Sequence, residues 1–175
     1  MKTKRLAYLS LLIVLTIVLT RFASIRIAIF GVEGVRIGIG SLGIYLAALF
    51  FGPIDGMIVG ALSDILGYWL SPMGPYMPQF TLVAAFRGLV SGLIFVLLFK
   101  RRWNLWSITA SIAVPAGVAN LWIVPYLLHT LFGMPYEVMI VPRLIALPFI
   151  VALEVAIVEA VLKLAPDVRT MNVSK

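Results

Sequence analysis

The sequence predicts an all-α integral membrane protein, and three observations lead to that class. Of the 175 residues, 62% are hydrophobic and only 12% are charged, whereas about 25% of the residues in a soluble domain are charged. The mean hydropathy is +1.10. Apolar runs recur along the whole chain, and at about 20 residues a span its length accommodates five or six transmembrane helices in a single domain, residues 1–175.

Six apolar stretches, separated by glycine- and proline-rich breaks, are the predicted transmembrane helices. The first follows a basic head, as in a signal peptide. However, its apolar run continues from Leu6 to Leu19 without a clear cleavage site, so we interpret it as an uncleaved helix. The predicted spans are residues 5–22, 37–51, 54–70, 79–99, 106–131 and 138–164.

The basic residues determine the expected orientation. They cluster before the first span, after the fourth and around the end of the sixth, which with six helices places all three clusters on one side. By the positive-inside rule that side is cytoplasmic, so we expect both termini in the cytoplasm. The clusters are Lys2, Lys4 and Arg5; Lys100, Arg101 and Arg102; and Lys163, Arg169 and Lys175.

The loop between the first two spans carries three arginines on the outer side. Arg21, Arg26 and Arg36 lie where positive charge is disfavoured, so we expect them to bind an anion. Residues 35–40 alternate between β-branched residues and arginine or glycine, a period of two that predicts a short extended segment. Such a loop can cover the mouth of the bundle as a lid. The alternative is a solvated linker whose arginines bind lipid headgroups.

Small residues recur at intervals of four on three predicted helices. In lipid this spacing lets helix backbones approach closely, so it predicts tight internal packing. The three sets are Gly52, Gly56 and Gly60; Ala84, Gly88 and Gly92; and Ala152, Ala156 and Ala160.

The ionisable residues Asp64, Arg87, Glu154 and Glu159 fall inside the predicted spans. A charge in mid-bilayer without compensation costs at least about 2.5 kcal/mol. We therefore expect Arg87 to form an internal ion pair with Asp64 or Glu154, and contact with a substrate is the alternative.

The outer end of the bundle concentrates aromatic, amide and arginine side chains. Aromatic faces suit a flat ring, amides suit its edge, and arginines suit carboxylates. The alternative is an interfacial aromatic belt. The candidate binding residues are Arg26 and Arg36 in the first loop, Tyr76, Gln79 and Phe80 before and in the fourth span, Asn120 and Tyr126 in the fifth, and Arg143 in the sixth.

The composition also excludes several kinds of site. The chain has no cysteine, which rules out disulfides and thiolate metal sites, and its one histidine, His129, makes a multi-histidine metal site implausible. Neither a phosphate-binding loop motif nor a G-x-S-x-G motif is present. We expect no metal or cofactor and no catalysis. The net charge of +7 marks cytoplasmic ends and gives no reason to expect a nucleic-acid partner.

Several segments resemble a known family. "LTRFASIRI", "GPIDGMIVGALSDILGYWL", "GPYMPQFTLVAAFRGLVSGLIF", "ANLWIVPYLL" and "PRLIALPF" are similar to the substrate-binding S components of energy-coupling factor (ECF) vitamin transporters, and most similar to the folate-specific group. The likeness covers nearly the whole chain and keeps the order of the segments.

The resemblance implies a six-helix S component in the plasma membrane of a prokaryotic cell. Such a subunit captures a vitamin outside, and the loop between its first two helices closes over the site. It then docks on a transmembrane scaffold subunit coupled to two cytosolic ATPases, and is thought to topple to release the vitamin. The family docks through a small-x-x-x-small motif on helix 1. Here Ser10 and Val14 match those positions, with Ala7 one turn earlier, and Val14 departs from the pattern.

For folate, a flat pterin with a dianionic glutamate tail, the resemblance suggests a division of roles. The arginines Arg26, Arg36 and Arg143 suit the carboxylates, Tyr76 and Phe80 suit stacking on the ring, and Asn120 suits its edge. Another vitamin, such as pantothenate, remains open. Two readings from other classes also remain, a small intramembrane enzyme using Asp64 and Glu154 and a purely structural subunit.

Overall fold

The computed structural model describes residues 2–22, 24–29, 32–71 and 76–164, and the backbone alone for Lys2 and for residues 25–29 and 32–37. This part of the chain forms helices joined by short turns and a two-stranded hairpin. The helices are α1 (Lys2–Phe22), α2 (Leu42–Phe50), α3 (Pro53–Leu70), α4 (Pro78–Leu93), α5 (Leu105–Gly117), α6 (Val124–Phe132) and α7 (Tyr136–Leu164). The strands are β1 (Ser24–Ile29) and β2 (Val32–Gly38). A π-helical turn follows α4 at Ile94–Leu98, and another, Val118–Ile123, joins α5 to α6.

The predicted class, a helical membrane protein, is confirmed. Four helical stretches are long and apolar enough to cross a membrane: Thr3–Phe22, Pro78–Leu98, Leu105–Phe132 and Tyr136–Leu164. They correspond closely to four of the predicted spans. The predicted span 54–70 is also helical, as α3.

The predicted second span, residues 37–51, is wrong in its first part. The chain is extended to Gly38 in β2, turns at residues 39–41, and becomes helical only at Leu42. Alternating β-branched residues favour a strand there, and Gly38 and Gly40 disfavour a helix. The extended segment predicted from the same alternation is confirmed. β1 and β2 pair antiparallel, with Arg26 opposite Arg36.

α2 lies at the centre of the molecule, and all nine of its residues are buried. A helix that is apolar all round can be surrounded on every side. Leu46 and Leu49 pack in one core cluster with residues of α1, α5 and α7, among them Leu12, Ile112 and Val158. At nine residues α2 is about 14 Å long, less than half of a hydrocarbon core of about 30 Å. The hairpin supplies the rest of the connection from α1.

α3 and α4 pack backbone to backbone. A Cβ atom built on Gly88 would lie 2.1 Å from the carbonyl oxygen of Gly56, and one on Gly60 would lie 2.3 Å from that of Ala84. The close packing predicted for these two stripes is confirmed. The third stripe behaves differently, because Ala152, Ala156 and Ala160 of α7 are all exposed.

The two ends of the bundle are held by different contacts. At one end Arg5 of α1 pairs with the buried Asp55 of α3 at 2.5 Å, and the side chain of Arg101 reaches Gly52. We call this the basic end. At the other, the hairpin end, Arg21 donates a hydrogen bond to the carbonyl oxygen of Ser71 (2.8 Å). In the hairpin, β1 contacts α1 and β2 contacts α7.

Candidate functional site

A cluster of polar side chains lies where α2, α4, the π-helical turn after α5, and α7 meet. Arg87 of α4 donates one hydrogen bond to Ser41 Oγ (3.0 Å) and another to Asn120 Oδ1 (2.7 Å). Arg143 of α7 donates to the backbone carbonyl oxygen of Asn120 (3.2 Å). We call Ser41, Arg87, Asn120 and Arg143 the central cluster. It joins four separate stretches of the chain at one point inside the bundle.

The backbone conformation around Asn120 helps to build this cluster. Asn120 lies within the π-helical turn Val118–Ile123, and Pro125 follows in the first turn of α6. A π-helical turn shifts the register of the helix, and such turns are frequent at functional sites. Here the turn coincides with a side-chain amide and a carbonyl oxygen that each accept a hydrogen bond from an arginine.

The expected ion pair of Arg87 is absent from the described residues. Asp64 accepts a hydrogen bond from Thr81 instead (2.6 Å), and Glu154 does not approach Arg87 closely enough to pair. Arg87 binds neutral oxygens because Ser41 and Asn120 come closer to it than either carboxylate does. Asp64 and Glu154 also have different neighbours, which gives no support to the carboxylate pair of an intramembrane enzyme.

Glu154 and Tyr45 lie behind the cluster. Glu154 is 1% exposed and Tyr45 is fully buried. Both lie close enough to Arg87 for electrostatic interaction, without a hydrogen bond to it. Glu154 Oε1 has no hydrogen-bond partner among the described residues. The interior therefore holds a carboxyl group near an arginine whose donors are occupied by neutral groups.

A second set of polar contacts lies towards the hairpin end. The Tyr76 hydroxyl is 2.9 Å from Thr81 Oγ1, which in turn donates to Asp64. The Tyr76 ring packs against the ring of Tyr68, with centroids 5.1 Å apart. This chain of contacts joins the residues that precede α4 to α3 and fixes the position of Tyr76.

Gln79 and Phe80 begin α4 beside this set. Phe80 packs against an apolar cluster formed by Leu128, Met134 and Met139. Gln79 Oε1 is buried and has no hydrogen-bond partner within the described chain. Both side chains are therefore partly buried near the hairpin end.

The remaining predicted site residues fall outside this arrangement. Arg26 and Arg36 are partners in the hairpin register, but their side chains are outside the described structure. Tyr126 is 59% exposed, and the structure does not bring its ring to the central cluster. Pro72–Pro75, part of the predicted proline-rich turn, also lie outside the described residues.

Sequence reasoning missed the roles of Ser41, Tyr45 and Thr81. A signal for Ser41 exists, since a lone polar residue between Gly40 and the apolar run of α2 often marks a helix start. Tyr45 and Thr81 carry no such signal, because nothing in their neighbourhood distinguishes them from ordinary helix residues.

The arrangement suits a ligand that offers hydrogen-bond acceptors. Two arginines and an amide converge, and arginine N–H groups have a fixed geometry that matches planar acceptors. Among the described residues, no group of His, Asp and Glu side chains could hold a metal ion. The chemistry available here is therefore recognition by hydrogen bonds and charge.

Comparison with known proteins assigns these features to a family. Residues 1–165 match the family model described as "ECF-type riboflavin transporter, S component". The chain is 29% identical over 171 residues to the folate transporter FolT of Clostridium novyi, covering 98% of this chain and 95% of that protein. It is 24% identical over 149 residues to FolT of Leuconostoc mesenteroides, covering 82% and 76%.

Two solved structures share the fold. A crystal structure of FolT bound with folic acid superposes with a TM-score of 0.74 at 23% identity, covering 90% of each chain. A structure of the S component of a bacterial ECF transporter gives a TM-score of 0.69 at 23% identity, covering 94% of this chain and 98% of that one.

Proposed function

The chain belongs to the family of ECF-type riboflavin transporter S components, and from that premise we propose that it captures folate for an ATP-driven importer. Members of this family are transporter subunits. The two relatives named above are folate transporters, and one of them matches nearly the full length of this chain. The description of the family model names riboflavin instead, so the choice of vitamin depends on the chemistry of the site.

The observation that carries the choice is the number of arginines at and above the central cluster. Riboflavin is a flat ring with a neutral sugar-alcohol chain, whereas folate joins a flat ring to two carboxylates. Arg87 and Arg143 converge on Asn120, and Arg26 and Arg36 are paired in the hairpin. Arginine is the side chain best suited to bind carboxylates in bidentate geometry. Positive charge on this scale favours the anionic vitamin.

The proposed roles follow the position of each residue. Tyr76 and Phe80 stack on the pterin, and Gln79 and Asn120 hydrogen-bond its edge. The hairpin is the lid, and its arginines bind the glutamate tail. The full proposed set is Arg26, Arg36, Tyr76, Gln79, Phe80, Asn120, Tyr126 and Arg143.

We place the basic end in the cytoplasm and the hairpin end outside. In this topology the chain crosses the plasma membrane of a prokaryotic cell six times, as α1, the hairpin together with α2, α3, α4, α5–α6 and α7, with both termini inside. The support is the positive-inside rule, since Arg5 and the loop Lys100–Arg102 lie at the basic end. The lid then faces the medium from which the vitamin is captured.

The proposed partners are a transmembrane scaffold subunit of the EcfT type and two cytosolic ATPases. Support comes from α1, where Ala7, Ser10 and Val14 are exposed and Val14 is 58% exposed. A helix face with small residues allows another helix to approach closely in lipid. Uptake then requires that complex, because the chain contains no phosphate-binding loop motif of its own.

The test is to purify the protein in detergent, identify any bound molecule by mass spectrometry and ultraviolet absorbance, and titrate the emptied protein with folate. Riboflavin and pantothenate are titrated in parallel. We expect a stoichiometric pterin or a nanomolar folate affinity. Tight binding of riboflavin or pantothenate alone would keep the family and change the vitamin. No binding of any vitamin would contradict the proposal and favour a structural or enzymatic role.

A further inference from the structure

The turn that leads from the π-helical end of α4 to α5 carries three consecutive basic residues, Lys100, Arg101 and Arg102. We call these three residues the basic turn. Lys100 has a φ angle of 47° and Arg101 one of 57°. Residues with a Cβ atom seldom adopt this left-handed conformation, because the Cβ atom crowds the following carbonyl oxygen. The chain therefore keeps two long basic side chains where glycine would be less strained.

The backbone of the basic turn is fixed by contacts with its neighbours. The N–H of Arg101 donates to the carbonyl oxygen of Phe95 (3.0 Å), and the N–H of Arg102 donates to that of Phe99 (2.9 Å). Directly after the turn, the ring of Trp103 packs edge to face against Phe95, with centroids 4.7 Å apart. The basic side chains therefore project from a fixed point and not from a solvated linker.

The positive charge of the basic turn is not neutralised within the described chain. Lys100 and Arg102 are exposed, and neither forms an ion pair with a described residue. The side chain of Arg101 is half-buried beside the start of α3. Asp55 of α3 is buried and already paired with Arg5. The turn therefore presents net positive charge at the surface of the basic end.

Exposed apolar side chains lie on both flanks of the basic turn. Leu97 and Leu98 precede it, Leu105 and Trp106 follow it, and Trp106 is 82% exposed. In a membrane protein such leucines face acyl chains, and tryptophan is enriched at the level of the headgroups. A water-soluble acidic partner would leave these apolar groups without contact. Basic groups between exposed apolar groups fit a lipid with an anionic headgroup.

We propose that the basic turn binds an anionic phospholipid, with Lys100 and Arg102 donating to its phosphate and Trp106 lying beside its glycerol and acyl chains. The site is separate from the proposed folate site, and only its leaflet, the cytoplasmic one, depends on the proposed topology. The strained conformation at Lys100 then has a reason, because it holds a charge at the headgroup level that glycine would not supply.

The test is native mass spectrometry of the detergent-purified chain, titrated with phosphatidylglycerol or with phosphatidylcholine of the same acyl chains. The variants are Lys100→Gly and Arg102→Gln. The control is Lys4→Gln, which removes an exposed charge at the same end, on α1. Lys100→Gly removes the charge but keeps the turn, because glycine adopts a left-handed φ freely. Melting temperature and folate affinity are measured on the same samples.

We expect the wild type to bind phosphatidylglycerol about 10- to 30-fold more tightly than phosphatidylcholine, and each turn variant to weaken phosphatidylglycerol binding about fivefold. Lys4→Gln should change it less than about twofold, because Lys4 lies outside the turn. Lys100→Gly should also melt at or above the wild-type temperature, since it relieves the strained φ. A loss of lipid binding without a loss of stability separates a headgroup contact from a structural role.

Equal binding of the two lipids by the wild type overturns the proposal. An equal loss in Lys4→Gln and in the turn variants overturns it as well, because the attraction is then diffuse. Turn variants that keep their lipid affinity but lose binding to the scaffold and ATPase subunits make the turn a protein-docking surface and overturn it too. Arg102→Gln decides the outcome if Lys100→Gly does not fold. A wild type that selects phosphatidylglycerol but binds no vitamin contradicts only the proposed function.

Discussion

Arg87 and Gly88 are neighbours in the chain, yet they belong to regions of opposite character. Gly88 lies in the seam between α3 and α4, where the backbones touch and a single added carbon has no room. Arg87 lies in the central cluster, where the contacts are polar and each partner comes from a different helix. The seam fixes the relative position of α3 and α4, and the cluster leaves donors that a ligand can take over.

Charged side chains have different partners in the two regions. Beside the seam, Asp55 is buried and pairs directly with Arg5. In the cluster, Arg87 is held by neutral oxygens. A charge paired within the chain contributes to the fold, whereas a charge held by neutral partners is available for binding. Substitutions in the seam should therefore lower stability, and substitutions in the cluster should lower affinity.

The largest effect is expected for Gly88→Ala. The new Cβ would lie 2.1 Å from the carbonyl oxygen of Gly56, a backbone atom that cannot move without separating the helices. We expect the melting temperature in detergent to fall by about 10 °C, as for an overpacked core. Tryptophan fluorescence on heating measures it.

The matched control is Gly117→Ala, where the nearest neighbour of the new carbon, Leu147 Cδ2, is 4.0 Å away. This variant should melt at the wild-type temperature or slightly above it, because alanine favours a helix more than glycine. Equal melting of the two variants would mean that the seam is not tightly packed.

The second effect is expected for Asn120→Ala, which removes the oxygen that accepts from Arg87. We expect folate to bind about 10- to 100-fold more weakly, the effect of losing a hydrogen bond to a charged group, with little change in melting temperature. Isothermal titration and thermal unfolding are measured on the same preparation.

Asn104→Ala is the control for that experiment, since Asn104 begins α5 at the far end from the hairpin. Loss of a helix-capping residue should lower the melting temperature slightly and leave folate affinity intact. If both asparagine variants lost affinity to the same extent, the central cluster would not be the binding site.

The third effect is expected for Asp55→Asn, which breaks the ion pair with Arg5. Because the Arg5 side chain is 40% exposed, water screens the pair and the loss is about 1 kcal/mol rather than that of a fully buried pair. The melting temperature should fall by about 2–4 °C with folate affinity unchanged. Glu137→Gln, an exposed change in α7, should affect neither; a large loss of affinity in Asp55→Asn would contradict the division between the regions.

The seam and the helices could be predicted from the sequence, because both depend on patterns within a single stretch. Apolar length marks a membrane helix, and Gly56 and Gly60 in α3, like Gly88 and Gly92 in α4, recur at the spacing of close helix packing. The strand β2 followed from alternation over a few residues. The exposed stripe on α7 shows the limit of such patterns, since Ala152 and Ala156 have the same spacing whether or not the chain itself supplies a partner helix.

The central cluster could be predicted only in part. The sequence predicts Asn120 and Arg143 as binding residues, but the partners of Arg87 are 46 and 33 residues away in sequence. Which of several polar groups reaches the guanidinium depends on helix tilt and on the π-helical turn at Asn120, and neither has a sequence signal. From charge alone an ion pair is expected for Arg87, but the structure gives it two neutral hydrogen-bond partners, Ser41 and Asn120.

The smallest effect is expected for Tyr126→Ala. The assignment of Tyr126 to the site stays a prediction, and its ring is 59% exposed with no described contact to the central cluster. An exposed aromatic residue on a membrane helix is well placed in the interfacial belt. We therefore expect folate affinity to fall by about threefold at most, compared with a far larger loss for Asn120→Ala. A loss for Tyr126→Ala as large as that of Asn120→Ala would show that folate contacts α6 on its exposed face. The binding site would then extend beyond the central cluster to the exposed face of α6.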